Sequence, residues 1–416
     1  MNPQKGIIGR TEVLSGLIIL MIISMFFSPH YMPPFTILLG VFTLLWGTGG
    51  QFIHNIKKNG LKIILFSSLF WVYLGGLLHS ENMDDGILDV ILKLSFFAFP
   101  FIFGVMDPKI FNWKTKNIIL QSFVGLSFFS AFLCLMNATN NYFISGEIAA
   151  FFYGDLSYLV HPSYFALYIN LSLGIVLWQL INERIQLSST IKMIYFILIP
   201  FFILFIILLE SKAGILGLIS ILITIAIYMA KYQGELKKAL ILISLSMVFI
   251  FALFTVIPGS TSRINSVVES VSEENSTAAE HSVASTRLYL WDAAWQLIQK
   301  NPIFGVGTGD VKDELILQYQ SQNNTRALEN NYNPHNQYLQ TSVALGLLGF
   351  LSLLTIVLFP LYIGFKRMEL LYFVLGVLMA INLLVESMFE RQAGVMFFAF
   401  FNSFIFFVLI PEKKEE

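Results

Sequence analysis

Apolar residues run along this chain in long blocks separated by short polar connections. A helix that crosses ~30 Å of hydrocarbon takes about 20 mostly apolar residues, and about a dozen blocks approach that length. They fall at 13–28, 35–48, 61–78, 87–105, 117–136, 162–181, 191–209, 213–230, 238–257, 338–363, 370–386 and 394–410, of which the second and eleventh are short or interrupted. The pattern breaks once, in a polar island from Pro258 to Asn336. The island ends in Pro334-His335-Asn336-Gln337-Tyr338-Leu339-Gln340, immediately before a new apolar block, so a histidine sits where hydrocarbon meets water. Three regions follow: a bundle of about nine helices over 1–257, a large outer loop over 258–336, and helices ten to twelve with a short cytoplasmic tail over 337–416.

Composition agrees with the blocks. Of 416 residues, 56% are hydrophobic and 12% charged, more apolar surface than a soluble core hides. The expected class is an all-α integral membrane protein with about twelve transmembrane helices. Lysine and arginine test that count, because cytoplasmic connections are enriched in them. With Lys5 and Arg10 inside, the other inner connections carry Lys57, Lys58, Lys62, Lys109, Lys114, Lys116, Arg184, Lys192, Lys231, Lys237, Lys238, Lys366, Arg367, Lys413 and Lys414, which makes 17 of the 25 basic residues. This alternation favours an even number of spans with both termini cytoplasmic. The first block lacks a small-residue cleavage site and reads as a retained helix. Cys134 is the single cysteine, so an internal disulfide and a thiolate metal cluster are both excluded. A net charge of −1 gives no reason to expect nucleic acid as a partner.

The island itself has two halves. Ser266 to Ala284, rich in Ser, Glu and Asn, reads as a flexible segment. After it, Ser285 or Thr286 can cap a helix whose Leu288, Trp291, Trp295 and Ile298 share one face until Asn301-Pro302 ends it. Such a helix would lie along the outer membrane surface and hold Arg287 at headgroup level. The plainer alternative is a helix packed over the bundle, with Arg287 a solvated end residue. Gly305-Val306-Gly307-Thr308-Gly309 has no strand before it and reads as a tight turn, not a nucleotide loop.

Read in order, Ser285-Thr286-Arg287-Leu288-Tyr289-Leu290-Trp291, Asn301-Pro302-Ile303-Phe304-Gly305-Val306-Gly307, His335-Asn336-Gln337-Tyr338-Leu339-Gln340 and Leu345-Gly346-Leu347-Leu348-Gly349 resemble the O-antigen ligase and polymerase superfamily. More loosely the likeness extends to Glu210-Ser211-Lys212-Ala213-Gly214 and to Glu386 with Glu390-Arg391-Gln392. Where that family typically has Ser-Arg-Gly, this chain has Ser211-Lys212-Ala213, which keeps the charge but loses the planar fork that grips phosphate oxygens in pairs. The resemblance implies a GT-C-like membrane glycosyltransferase of the bacterial cytoplasmic (inner) membrane with its site on the periplasmic side. Its donor would be a glycan on undecaprenyl diphosphate. Its acceptor would be lipid A-core or another glycan or protein, reached from a cavity open to membrane lipid. No cofactor and no metal are implied.

The chemistry of such a transfer says what the site needs. Negative charge develops on the lipid diphosphate as it leaves, which calls for fixed cations at the membrane surface. Arg287, Lys212 and Arg391 each adjoin a predicted helix end and are the candidates. For Arg391 the alternative is an ion pair with Glu390 or Glu386; for Lys212 it is pairing with Glu210 or snorkelling to water. A sugar hydroxyl must also lose its proton as it attacks, and imidazole, titrating near neutrality, suits that task. His335 is the candidate general base of a single inverting displacement, supported by Asn336 and Tyr338, with His161 and Glu386 nearby. His161 alternatively caps the helix that Pro162 opens. Asp84-Asp85 lacks the further ligands a divalent ion requires. A polytopic transporter or flippase is the competing class; it would place charges mid-membrane in two similar halves. Within the superfamily, one dominant outer loop favours ligation of O-antigen over polymerisation.

Overall fold

The computed structural model describes residues 3–27, 31–182, 185–256 and 283–410, and every element among them is a helix or a helical turn. Among the described residues each predicted apolar block falls on one helix or on two in succession. Among the described residues eight helices are long and apolar enough to span a membrane: Gly9–Phe27, Met83–Val105, Trp113–Ser145, Pro162–Ile181, Ser189–Leu208, Lys212–Tyr232, Gln337–Arg367 and Gln392–Leu409. Phe52–Phe66 and Ser68–His79 make a ninth if the pair, bent by 55°, is one span. At the bend the Ser67 hydroxyl donates to the Ile63 carbonyl at 2.8 Å, the back-bonding by which serine bends helices. Met32–Gly47 and Leu370–Val385 are shorter apolar helices, and Leu236–Val256 runs to the edge of the described residues. The basic-loop reading at Arg184, Lys413 and Lys414, and the flexible reading of Ser266 to Ala284 as far as residue 282, fall outside the described residues, while Val283 and Ala284 are helical.

Pro162–Ile181 is the axis of the bundle. It packs against Trp113–Ser145, Ser189–Leu208, Lys212–Tyr232 and Leu370–Val385, and 89% of it is buried. Between membrane helices, small side chains and interhelical hydrogen bonds hold what the hydrophobic effect cannot. Ser127 and Ser172 share a hydrogen bond at 2.6 Å, and Asn170 Nδ2 donates to the Gly214 carbonyl at 2.8 Å. Gly214 has no substitute there, because a Cβ would overlap the Ala166 methyl. This contact fixes the N-terminal end of the helix that begins at Lys212. Leu61, Phe196 and Phe251, on helices at the periphery, stay exposed and give the bundle its lipid-facing surface.

The outer helix differs from its sequence reading in two respects. It spans Val283–Lys300, so Ser285 and Thr286 lie within its first turn instead of capping it. Its packed face is Leu290, Ala293, Ala294 and Leu297, while Leu288 and Trp295 of the expected apolar stripe are 65% and 53% exposed. The two alanines let the helix close on Gln337–Arg367, an approach that a tryptophan face would hold off.

The glycine turn after it is more than a turn. Helix Gln337–Arg367 is broken at Gly346, where φ is 58° and ψ −146°, and the break exposes carbonyls that hydrocarbon cannot satisfy. The turn supplies the donors: Val306 N–H reaches Val343 O at 2.9 Å and Gly307 N–H reaches Ala344 O at 3.0 Å. Gly305, at φ +73°, lies so close to the Ala344 backbone that any Cβ would overlap it. Farther along, Thr308 donates to Tyr73 O at 2.7 Å, and Asp310 accepts the Glu81 and Asn82 amides at 2.7–3.0 Å. The segment over residues 305–310 is thereby fastened to the start of helix Met83–Lys93.

Candidate active site

His335 stands in a backbone conformation that L-residues seldom adopt, with φ +46°. Its neighbours hold it there. Its amide donates to Asn333 Oδ1 at 2.8 Å, and the Trp291 indole N–H donates to the Pro334 carbonyl at 2.9 Å. Asn336 caps the following helix, its Oδ1 accepting from the amides of Tyr338 and Leu339 at 3.0 and 3.2 Å. Strain of this kind, fixed by surrounding bonds, concentrates at functional sites. The ring then meets a partner: His335 Nδ1 lies 2.9 Å from Glu386 Oε1, with the side chains 30% and 19% exposed. Burial opposes ionisation of Glu386, but the hydrogen bond and charge of His335, followed by Arg287 and His161, hold its carboxyl below the ordinary range. An ionised carboxylate only accepts, so Nδ1 carries a proton, and in the neutral ring the basic lone pair is left on Nε2.

Around this pair the other candidate residues gather. The charge of Arg287 acts on both Glu386 and Lys212; His161 feels Arg391, Glu386 and His335. Burial, then the Arg391 charge, push the His161 imidazole below its ordinary value. Four helix starts meet here: His161, Arg391, Asn336 and Ser211 are the N-cap residues of Pro162–Ile181, Gln392–Phe404, Gln337–Arg367 and Lys212–Tyr232. Ser211 Oγ accepts the Gly214 amide at 3.1 Å, which seats Lys212 in the first turn of its helix. Each helix start carries about half a positive charge, worth roughly 0.3–1 kcal/mol to a nearby anion, and their sum adds to the side-chain cations.

Several expectations change on inspection. His161 occupies the N-cap position before Pro162 as the sequence suggests, but its side chain makes no capping hydrogen bond. Among the described residues no ion pair joins Arg391 to either acid suggested for it; Glu386 binds His335 and Glu390 binds Lys93. Tyr338 turns away from the pair and donates to Ala380 O at 3.2 Å, a bond that ties two helices together. Asp84 and Asp85 lie exposed in the first turn of Met83–Lys93, and no group of three or more potential metal ligands occurs among the described residues. Sequence reasoning missed Trp291 as a brace for the histidine loop, and Tyr332, whose ring stands edge-on to His335 at 5.7 Å. It also missed a buried polar group: Lys93, 0% exposed, bonds Asp89 at 2.7 Å and Glu390 at 3.5 Å, and Glu390 accepts from Gln337 Nε2 at 3.0 Å. Lys93 to Glu390 is a separation that only the fold brings together.

Residues 194–354 match the family model described as O-antigen ligase, and that match supports the O-antigen ligase superfamily. The matched region contains Lys212, Arg287 and His335; His161, Glu386 and Arg391 lie outside it. An uncharacterized protein of Haemophilus influenzae is 27% identical over 156 residues, 37% of this chain, and the match spans 39% of that protein's length.

Proposed function

With an O-antigen ligase region over residues 194–354 as premise, we propose that this chain transfers a glycan from undecaprenyl diphosphate to an acceptor hydroxyl at the periplasmic face of the inner membrane. The observation that carries the reading is the meeting of a carboxylate-bound histidine with three cations and four helix starts at one end of the bundle. The donor's diphosphate would rest among Arg287, Lys212 and Arg391, where fixed charge stabilises the leaving group as it departs. His335 Nε2 would take the acceptor proton while the hydroxyl oxygen attacks the anomeric carbon. The oxygen–carbon bond forms as the carbon–phosphate oxygen bond breaks, with inversion and no covalent enzyme intermediate. Glu386 would orient the ring and stabilise the imidazolium that results. Lysine at 212 supplies charge without a bidentate grip, so Arg287 is the main phosphate ligand.

The transporter alternative loses its principal argument. Among the described residues Lys93 is the charged side chain fully buried within a span, and it is paired with Asp89 and with Glu390 beside the candidate site. Among transferases, the dominant outer segment favours ligation to lipid A-core, with polymerisation as the next reading. Purified protein given glycan-loaded undecaprenyl diphosphate and acceptor should release undecaprenyl diphosphate, and His335→Ala should not. Release by the folded variant at the wild-type rate would overturn the assignment.

A further inference from the structure

The bond between His335 and Glu386 joins two separate turns, one leading into helix Gln337–Arg367 and the other, 386–391, lying between Leu370–Val385 and Gln392–Phe404. Between side chains 30% and 19% exposed, that bond alone is too weak to hold the turns together. Gln337, fully buried at the first position of its helix, spans them. Its Oε1 accepts the Phe389 amide at 2.7 Å, and its Nε2 donates to Glu390 Oε1 at 3.0 Å and to Thr341 Oγ1 at 3.1 Å. Resting on the transfer reading above, we propose that Gln337 is a positioning residue for the reaction: its side-chain amide clamps the turn that carries Glu386 to the turn that carries His335, so that the base keeps its carboxylate.

The amide has one orientation, because the Phe389 N–H can only donate and so faces the oxygen. Both of its grips are firm. The Phe389 ring is packed with centroids 4.9 Å from Phe96 and 5.6 Å from Phe398, which fixes the backbone that Gln337 holds. Glu390 is held in turn by Lys93 at 3.5 Å, itself bound to Asp89 at 2.7 Å, so a third helix, Met83–Lys93, anchors the clamp. A second tie, from the Asn336 amide to Ser387 Oγ at 3.2 Å, is a single bond to a rotatable hydroxyl. An apolar side chain at 337 would leave the buried Phe389 amide unpaired and the two turns free to part. With no exposed surface, Gln337 meets neither substrate; it acts through the distance between His335 and Glu386.

The test uses the full chain in lipid nanodiscs and follows the titration of His335 by NMR of isotope-labelled histidine, its signal assigned with His335→Asn, beside glycan transfer from loaded undecaprenyl diphosphate. A carboxylate at bonding distance raises the midpoint of an imidazole, so a turn that swings away lowers it. The other titratable groups near the ring are His161 and Tyr332, with Arg287 and Arg391 acting on Glu386 and His161, and a change at 337 alters none of their charges. Gln337→Met keeps the length and loses both grips; the His335 midpoint should fall by about one unit and transfer should slow at least about tenfold. In Glu386→Gln protein the same substitution should leave the midpoint nearly unmoved, because its effect runs through that carboxylate. The exchange Gln337→Glu with Glu390→Gln keeps the charge of the buried group, leaves a carboxylate to accept the Phe389 amide and an amide to bridge to it, and should return midpoint and rate toward wild type. A wild-type midpoint in folded Gln337→Met would overturn the proposal, as would an equal fall in the Glu386→Gln background or a folded exchange pair that stays at the Gln337→Met value. If Gln337→Met does not fold, Gln337→Asn, one methylene too short to reach the far turn, is read by the same outcomes. A midpoint that moves as expected in a protein whose wild type releases no undecaprenyl diphosphate would defeat the transfer reading and leave the clamp standing.

Discussion

At the scale of single residues the account rests on His335 and what surrounds it. General bases contribute about 10²–10⁴ to rate, so His335→Ala should cut transfer by at least ~10² with the protein still folded. Glu386→Gln should be milder, roughly tenfold or more in kcat, because the ring keeps a neighbour but loses the carboxylate that fixes its tautomer. Glu386 also makes a pH prediction. Its folded value lies below the ordinary one, so its contribution to stability is present above the unfolded value and is lost as pH falls through the lowered one. The difference in melting temperature between wild type and Glu386→Gln should be constant above about pH 5 and shrink below it. A difference that grew on acidification would contradict an ionised Glu386. Arg287→Ala should weaken carrier binding by one to two orders of magnitude, roughly, and Arg287→Lys by much less. Equal, wild-type-like affinity in both would remove Arg287 from the site. His335 was legible in the sequence because it stands at the edge of an apolar block, and the cations because each adjoins a predicted helix end. The bond between His335 and Glu386 was legible only as nearness of motifs, since no local pattern encodes a contact across 51 positions.

At the scale of elements, periodicity gave helices and near-correct ends, but it misjudged which face of Val283–Lys300 is packed. A stripe of Leu288, Trp291, Trp295 and Ile298 is the more apolar reading, yet small Ala293 and Ala294 decide the approach to the neighbouring helix. Trp291 is placed by its N–H, which seeks a loop carbonyl, and hydrophobic pattern says nothing about that. The glycine turn was legible as a turn from its composition. Its service as a plug for the break at Gly346 depends on a meeting of distant segments. Gly305→Ala should therefore destabilise the protein by more than the ~1 kcal/mol of an ordinary glycine substitution, since both its positive φ and the Ala344 backbone exclude a side chain. Thermal unfolding in detergent measures this; a melting temperature within error of wild type would show that the turn does not bear on the broken helix.

At the scale of the whole molecule, one end of the bundle gathers helix starts, cations and a carboxylate-bound histidine, while the flanks present leucine and phenylalanine to lipid. The membrane class followed from composition alone, because so apolar a chain has no aqueous solution. The buried Lys93 ion group did not, because no local pattern joins a lysine to Glu390, 297 positions away, until the fold brings them together. The most direct test of the central claim is to delete the gene in its host, restore it as wild type or as His335→Ala, and measure the glycans left on undecaprenyl diphosphate. Carrier-linked glycan should accumulate in the deletion, clear with wild type and persist with the folded His335→Ala protein. A carrier pool unchanged by deletion, or cleared equally by both forms, would contradict transfer from the carrier at His335.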